Sequence, residues 1–284
     1  MIATQPPRPG RVPRGVGPRG FAPEPSRVTR GIILGVVGVV FLVPILAMIE
    51  FSLRVGQNGG HGFDHYLAVF NPATSGSYSV LFQGIVNSLG ICVITVMIVL
   101  GLLLPTMILV ELRFPRLRSV LEFICIVPIT IPSIVLVVGF VPVYSVVAQI
   151  FGSYPWTLSF AVGIIVLPYA FRPIAANLSA VEVVMLSEAS RSLGASWFSV
   201  MSRIILPNLR RGIFSSAFIT IAVVLGEYTI ASFLSQNTFQ TALVLLRSTD
   251  PYVAVIFAIV ALLFAFVLLI LIGRIGTAGR DRRL

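Results

Sequence analysis

Six apolar runs, each about the length of a bilayer crossing, set what this chain can become. They cover about Gly31–Phe51, Ile85–Val110, Ser119–Val143, Trp156–Phe171, Ile213–Leu234 and Tyr252–Ile272. A helix rises 1.5 Å per residue, so a hydrocarbon core of roughly 30 Å takes about 20 residues. The fourth run is the shortest, and Pro128 and Pro132 interrupt the third. Membrane strands are about 10 residues long and alternate in polarity. These runs are longer and apolar on every face, so the sequence predicts an all-α membrane protein with six transmembrane helices.

Composition agrees for a physical reason. Only 11% of the residues are charged and 57% are hydrophobic, whereas a soluble domain carries about 25% charged residues. Too few polar side chains remain to cover a water-facing surface. The net charge of +10 does not imply nucleic acid, because the arginines lie in the gaps between apolar runs. Placing the N-terminal segment in the cytoplasm puts 1–30, 111–118, 172–212 and the C-terminus on one side. Of the 20 basic residues, all arginine, only Arg54 and Arg247 then face outward. Cytoplasmic loops collect arginine in this way, so both termini are expected inside, in a multi-pass plasma (inner) membrane protein.

The expected domain organisation has three parts. Residues 1–30 are rich in Pro, Gly and Arg and carry one acid, Glu24. They cannot bury a core, and a disordered basic cytoplasmic tail is expected. The tail is too long and proline-rich for the start of a cleaved signal peptide. Residues 31–273 form the six-helix membrane domain, and 274–284 form a cytoplasmic C-terminal tail. Cys92 and Cys125 fall inside apolar runs and read as small core residues rather than a disulfide. His61 and His65 have only Asp64 nearby as a further ligand, so solvated loop histidines are expected instead of a metal site.

The segment between the fourth and fifth runs is long, cytoplasmic and not of low complexity. Ser187 is expected to cap a short helix beginning at Glu188, whose acid suits the positive end of the helix dipole. Gly194 is expected to close that helix in a left-handed conformation. A second amphipathic stretch begins near Ser196 and is expected to stop before Pro207. Such an elbow, with Trp197, Phe198, Val200 and Met201 on its apolar side, could simply rest on lipid headgroups.

The residues themselves carry a resemblance. Glu188-Ala189-Ser190, three residues, Gly194, nine residues, then Ile204-Ile205-Leu206-Pro207 closely resembles the EAA signature of binding-protein-dependent ABC importer permeases. Ser190 stands where that signature has a second alanine. The resemblance implies a coupling helix within 182–207 that docks on a nucleotide-binding subunit and carries ATP-driven closure into the membrane. Glu188, Ala189, Ser190, Gly194, Ile204, Leu206 and Pro207 are the residues so implied. No Gly-rich phosphate loop of the P-loop type occurs in the chain, so the ATPase is expected to be another polypeptide that binds ATP and Mg. The chain itself is expected to hold no cofactor and to be no enzyme. The family implies a second permease subunit, an ATPase dimer and an extracytoplasmic solute-binding protein as partners, working by alternating access.

An acid inside a span is costly and therefore a functional candidate. Glu227 is such an acid in the fifth run, with the hydroxyls of Tyr228, Thr229 and Ser232 beside it. These are candidate pathway residues. Glu227 could equally be wetted from outside or pair with Arg247, and the hydroxyls could serve helix packing. Glu122 and Arg118 are spaced to pair at i and i+4. The stretch 225–235, Leu-Gly-Glu-Tyr-Thr-Ile-Ala-Ser-Phe-Leu-Ser, and Asn87-Ser88-Leu89 resemble spermidine/putrescine-type permeases. The resemblance extends over the second to sixth runs and leaves 1–30 and the first loop uncovered. It implies a polyamine cargo or, in the same broad family, a sugar, ferric iron, thiamine or a phosphonate. A secondary transporter or channel would leave the EAA-like elbow unexplained. An intramembrane enzyme would need a nucleophile and base or paired acids, and no histidine lies within a run.

Overall fold

The structure, a computed structural model, describes residues 26–55, 60–71 and 75–277. Most of the expected basic tail, Asn58-Gly59 of the first loop and the last seven residues lie outside these. Helix α1 (Arg27–Ser52) starts four residues ahead of the first apolar run, because Ser26 Oγ accepts the Thr29 N–H at 3.1 Å. This cap satisfies one of the free amides at the helix start. The chain divides into two compact units, Met1–Ala47 and Met48–Leu284. In the first, α1 is an unbroken apolar helix that carries Pro44 within it.

The second unit takes in the end of α1 from Met48 and then a short antiparallel pair, β1 (Arg54–Val55) and β2 (Gly60–His61), in the register Arg54↔His61 and Val55↔Gly60. Helix α2 (Asp64–Phe70) follows, then a 3-10 turn over Ser75–Tyr78 and the long helix α3 (Ser79–Arg113). His65 is not simply solvated: its ring stacks on Tyr252 at 4.4 Å and its Nε2 lies 3.1 Å from the Arg54 carbonyl. The remaining helices are α4 (Arg118–Thr130), α5 (Ser133–Phe151), α6 (Leu158–Val181), α7 (Val183–Ser192), α8 (Trp197–Ser199), α9 (Leu206–Gly226), α10 (Thr229–Phe233), α11 (Phe239–Thr249) and α12 (Pro251–Thr277). A π-helical turn, Val200–Ile205, joins α8 to α9 without a break.

Helices α3, α6 and α9 pack on one another to make the core. Small residues let them approach. Ser88, Cys92 and Thr95 of α3, Ser159 and Gly163 of α6, and Gly212, Ser216 and Thr220 of α9 are all buried. Lipid tails are as apolar as leucine, so membrane helices associate through close packing of such residues. At Gly212 a Cβ would stand 2.8 Å from Asn177 Cβ and 3.0 Å from the Pro173 carbonyl oxygen, so only glycine permits this crossing. The Cys92 Sγ donates to the Ile221 carbonyl at 3.9 Å and Ser159 Oγ to that of Ile91 at 3.4 Å, tying the three helices together. Both cysteines are free and buried, as their apolar settings predict.

Among the described residues six helical stretches are long and apolar enough to cross a membrane: Arg27–Ser52, Ser79–Arg113, Ser133–Phe151, Pro155–Val181, Trp197–Gly226 and Pro251–Leu271. The number matches the sequence expectation, and the extents of the third, fourth and fifth spans do not. The third span is not Ser119–Val143. Ile131 is extended (φ −100°, ψ 126°) ahead of Pro132, which separates α4 from α5. A residue before proline is driven out of the helical region. Pro128, by contrast, stays inside α4. The fourth span does not end at Phe171. Helix α6 runs ten residues further through Arg172 and Pro173, because Ile174 and Leu178 continue its buried stripe. The fifth span is not Ile213–Leu234: its helix begins well ahead of Ile213, running on from Trp197 through the π-helical turn, and ends at Gly226.

One expected ion pair is also replaced. Arg118 does not meet Glu122. The 3-10 turn Pro115–Leu117 folds α4 back against the end of α3, and Arg118 donates to Glu111 at 3.4 Å and to Ser179 Oγ at 3.1 Å.

Candidate functional site

Two breaks in the helical ladder hold the residues singled out by the sequence. The first is the elbow between α6 and α9. Glu182 takes a left-handed conformation (φ 48°, ψ 54°), which ends α6 and starts α7. The helix therefore begins at Val183, five residues before the expected start at Glu188, and Ser187 is not its cap. Val183 and Ser187 lie one turn apart and are both buried, so they seat α7 on the helix bundle. Val184, Met185, Glu188 and Ala189 lie on the other face, exposed.

The elbow's backbone closes on itself. Ser190 Oγ donates to the Leu186 carbonyl at 2.5 Å and Ser192 Oγ to that of Ala189 at 2.8 Å. Gly194 is left-handed (φ 84°), as its position predicts, and its N–H donates to the Arg191 carbonyl at 2.9 Å. The Ala195 N–H then reaches the Ser190 carbonyl at 3.1 Å. Ser196 caps the next helix by accepting the Ser199 N–H at 3.3 Å. A left-handed glycine with these back-bonds is how a helix satisfies its last carbonyls. The tip is apolar: Leu193 is 89% exposed and Phe198 81%. Glu188 stands close to it in sequence and makes no ion pair among the described residues.

The second half of the motif faces inward. Val200, Ile205 and Leu209 are fully buried, Ile204 and Leu206 half-buried, and Pro207 exposed. The stretch does not stop before Pro207. The Leu206 N–H bonds to the Met201 carbonyl, five residues back, and this wider turn admits the proline. A π-bulge gives up the ordinary spacing, so a residue without an N–H can sit at the start of the following helix. Asn208 Nδ2 donates to the Ile204 carbonyl at 2.7 Å. Glu188, Ala189, Gly194 and Pro207 are thus surface, Ser190 is a tie, and Ile205, flanked by half-buried Ile204 and Leu206, belongs to the root.

The second break is at the opposite end of α9. Glu227 is extended (φ −76°, ψ 117°) and half-buried, and its Oε1 accepts the Ile230 N–H at 2.5 Å. The carboxylate caps α10 and sits at a helix end, not in the middle of a span. It makes no ion pair with Arg247. Tyr228 is exposed; Thr229 and Ser232 are half-buried. The chain then turns through Ser235 (φ 53°) into α11, which the apolar runs did not announce.

Side chains from other helices hold this turn. Asn87 Nδ2 donates to the Asn237 carbonyl at 2.9 Å, and Ser88 Oγ accepts the Phe239 N–H at 2.8 Å. Asn237 Nδ2 donates to the Val80 carbonyl at 3.0 Å. Gln236 Nε2 reaches Ser153 Oγ at 3.2 Å. Gln240 Nε2 donates to the Leu225 carbonyl at 3.1 Å, replacing a bond lost where α9 ends. Tyr78 donates to Asp250 Oδ2 at 3.1 Å, and burial followed by that carboxylate pushes the phenol's pKa up. The sequence reading passed over Gln236, Gln240 and α11. Their signal was present as Thr238 and Thr241, which form a capping box, followed by Phe239, Ala242 and Leu246 on one face. That pattern marks a short amphipathic helix.

Beside this turn, α3, α9, α11 and α12 enclose a groove of about 470 Å³, lined by Leu89, Phe218, Phe257, Phe264 and other apolar residues. Its polar lining is Ser88 and Gln240, and both are already bonded to backbone. Glu227 does not line it. The groove by itself offers no anionic group to a cation.

Comparison with known proteins gives the family. Residues 97–284 match the family described as the inner membrane component of binding-protein-dependent transport systems. The chain is also 26% identical over 217 residues to the spermidine/putrescine transport system permease protein PotC of Haemophilus influenzae, an alignment covering 74% of this chain and 80% of that protein.

Proposed function

Since this chain belongs to the family of inner membrane components of binding-protein-dependent transport systems, we propose that it forms half of a solute pathway driven by a separate ATPase through the elbow at 182–207. It is a permease of the ABC importer type. The observation that carries the coupling assignment is the two-faced elbow. Its root, Val183, Val200 and Ile205, is buried in the α3–α6–α9 core, while Glu188, Ala189 and Gly194 are left on the surface.

Ala189 and Gly194 allow a partner's backbone to come close, and Glu188 offers a carboxylate to a basic group. A push on α7 passes to α9 through the π-helical turn, because α7 packs against that turn and the turn runs into α9 without a break. ATP and Mg belong to the partner ATPase, whose closed dimer binds ATP better than its open one. That difference in affinity is what can shift the membrane helices between inward and outward states. The basic segment 1–30 and the arginines of 274–284 lie on the ATPase side, with both termini cytoplasmic. A second, homologous permease subunit completes the pathway, and an extracytoplasmic binding protein delivers the solute.

For the solute, a polyamine is supported by the spermidine/putrescine relative. Glu227, with Tyr228, Thr229 and Ser232, is the gate-side candidate, reached once α10 moves and frees its carboxylate. Because the groove described above is apolar, selection of a cation falls on the binding protein and the partner permease. Sugar, ferric iron, thiamine or phosphonate cargo would leave the same coupling assignment intact.

The test is co-purification of the ATPase with the intact complex and solute-stimulated hydrolysis. Glu188→Lys and Gly194→Trp should leave the protein in the membrane and reduce both signals. Normal association and normal stimulation in both variants would remove the case for docking at the elbow. Glu227→Gln should change uptake with assembly intact; unchanged uptake would leave Glu227 a cap and nothing more.

A further inference from the structure

A cleft of about 460 Å³ lies where the end of α3 meets the elbow, lined by Leu109, Arg113, Phe114, Arg191 and Trp197. Arg113 is in the last turn of α3 and Arg191 in the last turn of α7. Both are exposed, and neither makes an ion pair among the described residues. No acid lines the cleft. The contrast with Arg118 is informative, since that neighbour is already held by Glu111 and Ser179. The Arg191 guanidinium sits over the Trp197 ring, 5.9 Å from its centroid, so its donor edge is held in place. Two guanidinium groups lining one cleft with no acid in it, one of them oriented by a tryptophan, suit a tetrahedral oxyanion, which they can grip by paired N–H donors.

The walls say where that anion comes from. Leu109 is 46% exposed and belongs to the apolar length of α3; Phe114, just past its end, is 51% exposed. The cleft is therefore continuous with an apolar helix flank. Tryptophan at the level where an apolar run gives way to arginines marks the membrane–water interface.

We propose that this cleft binds the phosphate of an anionic phospholipid, with the headgroup between Arg113 and Arg191 and an acyl chain along Leu109 and Phe114. The lipid then touches the elbow directly, through Arg191 of α7 and Trp197 at the start of α8. The site does not depend on which solute is carried, but it shares Arg191 and Trp197 with the elbow assigned to coupling.

The chain has two tryptophans, Trp156 and Trp197, so Trp156→Phe leaves Trp197 as a single reporter. The full chain is purified in uncharged micelles and titrated with brominated phosphatidylglycerol or brominated phosphatidylcholine. Quenching of Trp197 should occur at an about 30-fold lower mole fraction of the anionic lipid, the gain expected for two arginines near an anionic surface. R113Q with R191Q should abolish that preference, and R113K with R191K should keep most of it. Helicity and Trp197 emission before titration report folding. Should the double variant not fold, R113Q and R191Q singly should each lower the preference about fivefold.

Three results overturn the proposal. One is an unchanged preference in the glutamine variants. Another is reversal of the quenching by millimolar inorganic phosphate, which would make this a free-anion site. The third is loss of ATPase co-purification in R113Q with R191Q at every lipid composition, which would make the cleft a protein-docking face.

Discussion

The elbow at 182–196 and the turn at 227–238 solve the same problem in opposite ways. Each interrupts a helix, and each uses one non-glycine residue in the left-handed region, Glu182 or Ser235. At the elbow, the freed backbone groups are satisfied by Ser190, Gly194 and Ser196 within a few residues. At the turn, local caps from Glu227, Thr238 and Thr241 are joined by bonds from a distance, from Asn87, Ser88 and Gln240. A segment that closes on itself can be displaced as a unit without exposing polar backbone. A segment pinned to other helices cannot move until those bonds break. The first arrangement suits a surface that receives a partner, and the second suits a fixed end to a membrane helix.

Variants can break this contrast, and the largest effect is expected at Gly84. A Cβ there would stand 2.7 Å from the Thr238 carbonyl oxygen, 2.9 Å from its carbon and 3.0 Å from Ala242 Cβ. Two of those atoms are backbone and cannot rotate away. Gly84→Val should cost about 3 kcal/mol, as overpacking does, read by denaturant titration in mixed micelles. Unchanged stability would mean that α3 does not pin the turn.

A smaller effect is expected at Ser88. Ser88→Ala leaves the Phe239 N–H buried without an acceptor and should cost about 2 kcal/mol. Double substitution with Asn87→Ala should exceed either single loss, since both bonds hold one loop. At the elbow, Gly194→Val should cost about 1–2 kcal/mol because the left-handed backbone disfavours a β-branched residue. Space is not the cause, as nothing lies within 4 Å of the position a Cβ would take. Gly194→Asn should therefore recover most of the loss, and failure to recover would mean that Gly194 serves contact with something else. The smallest effect belongs to Glu188→Ala, which should stay within about 0.5 kcal/mol of the parent. A loss well beyond that would show that Glu188 is structural and would weaken its assignment to a docking face.

What could be read from the sequence follows from which forces are local. The six crossings are legible because each apolar run must meet lipid, whatever its neighbours do. Gly194 is legible because its conformation is fixed by one turn of chain. The start of α7 is not, since the choice between Glu188 and Val183 depends on whether Val183 and Ser187 have a bundle to sit against. The passage of Pro207 through a continuous helix is not legible either. A proline reads as a stop until a wider turn, held by the burial of Val200 and Ile205, absorbs it.

The chemistry-bearing residues divide along the same line. The sequence by itself determined the class of molecule, the spacing of the motif and the presence of an acid near the end of the fifth span, because hydropathy and spacing are properties of the chain alone. Only the tertiary structure decided that Glu227 caps α10, that Asn87 and Ser88 hold a loop some 150 positions away, and that Arg113 and Arg191 share one cleft. The last two are meetings of distant segments, which helix packing and not local propensity brings together; the first is a local bond whose place depends on where packing ends α9.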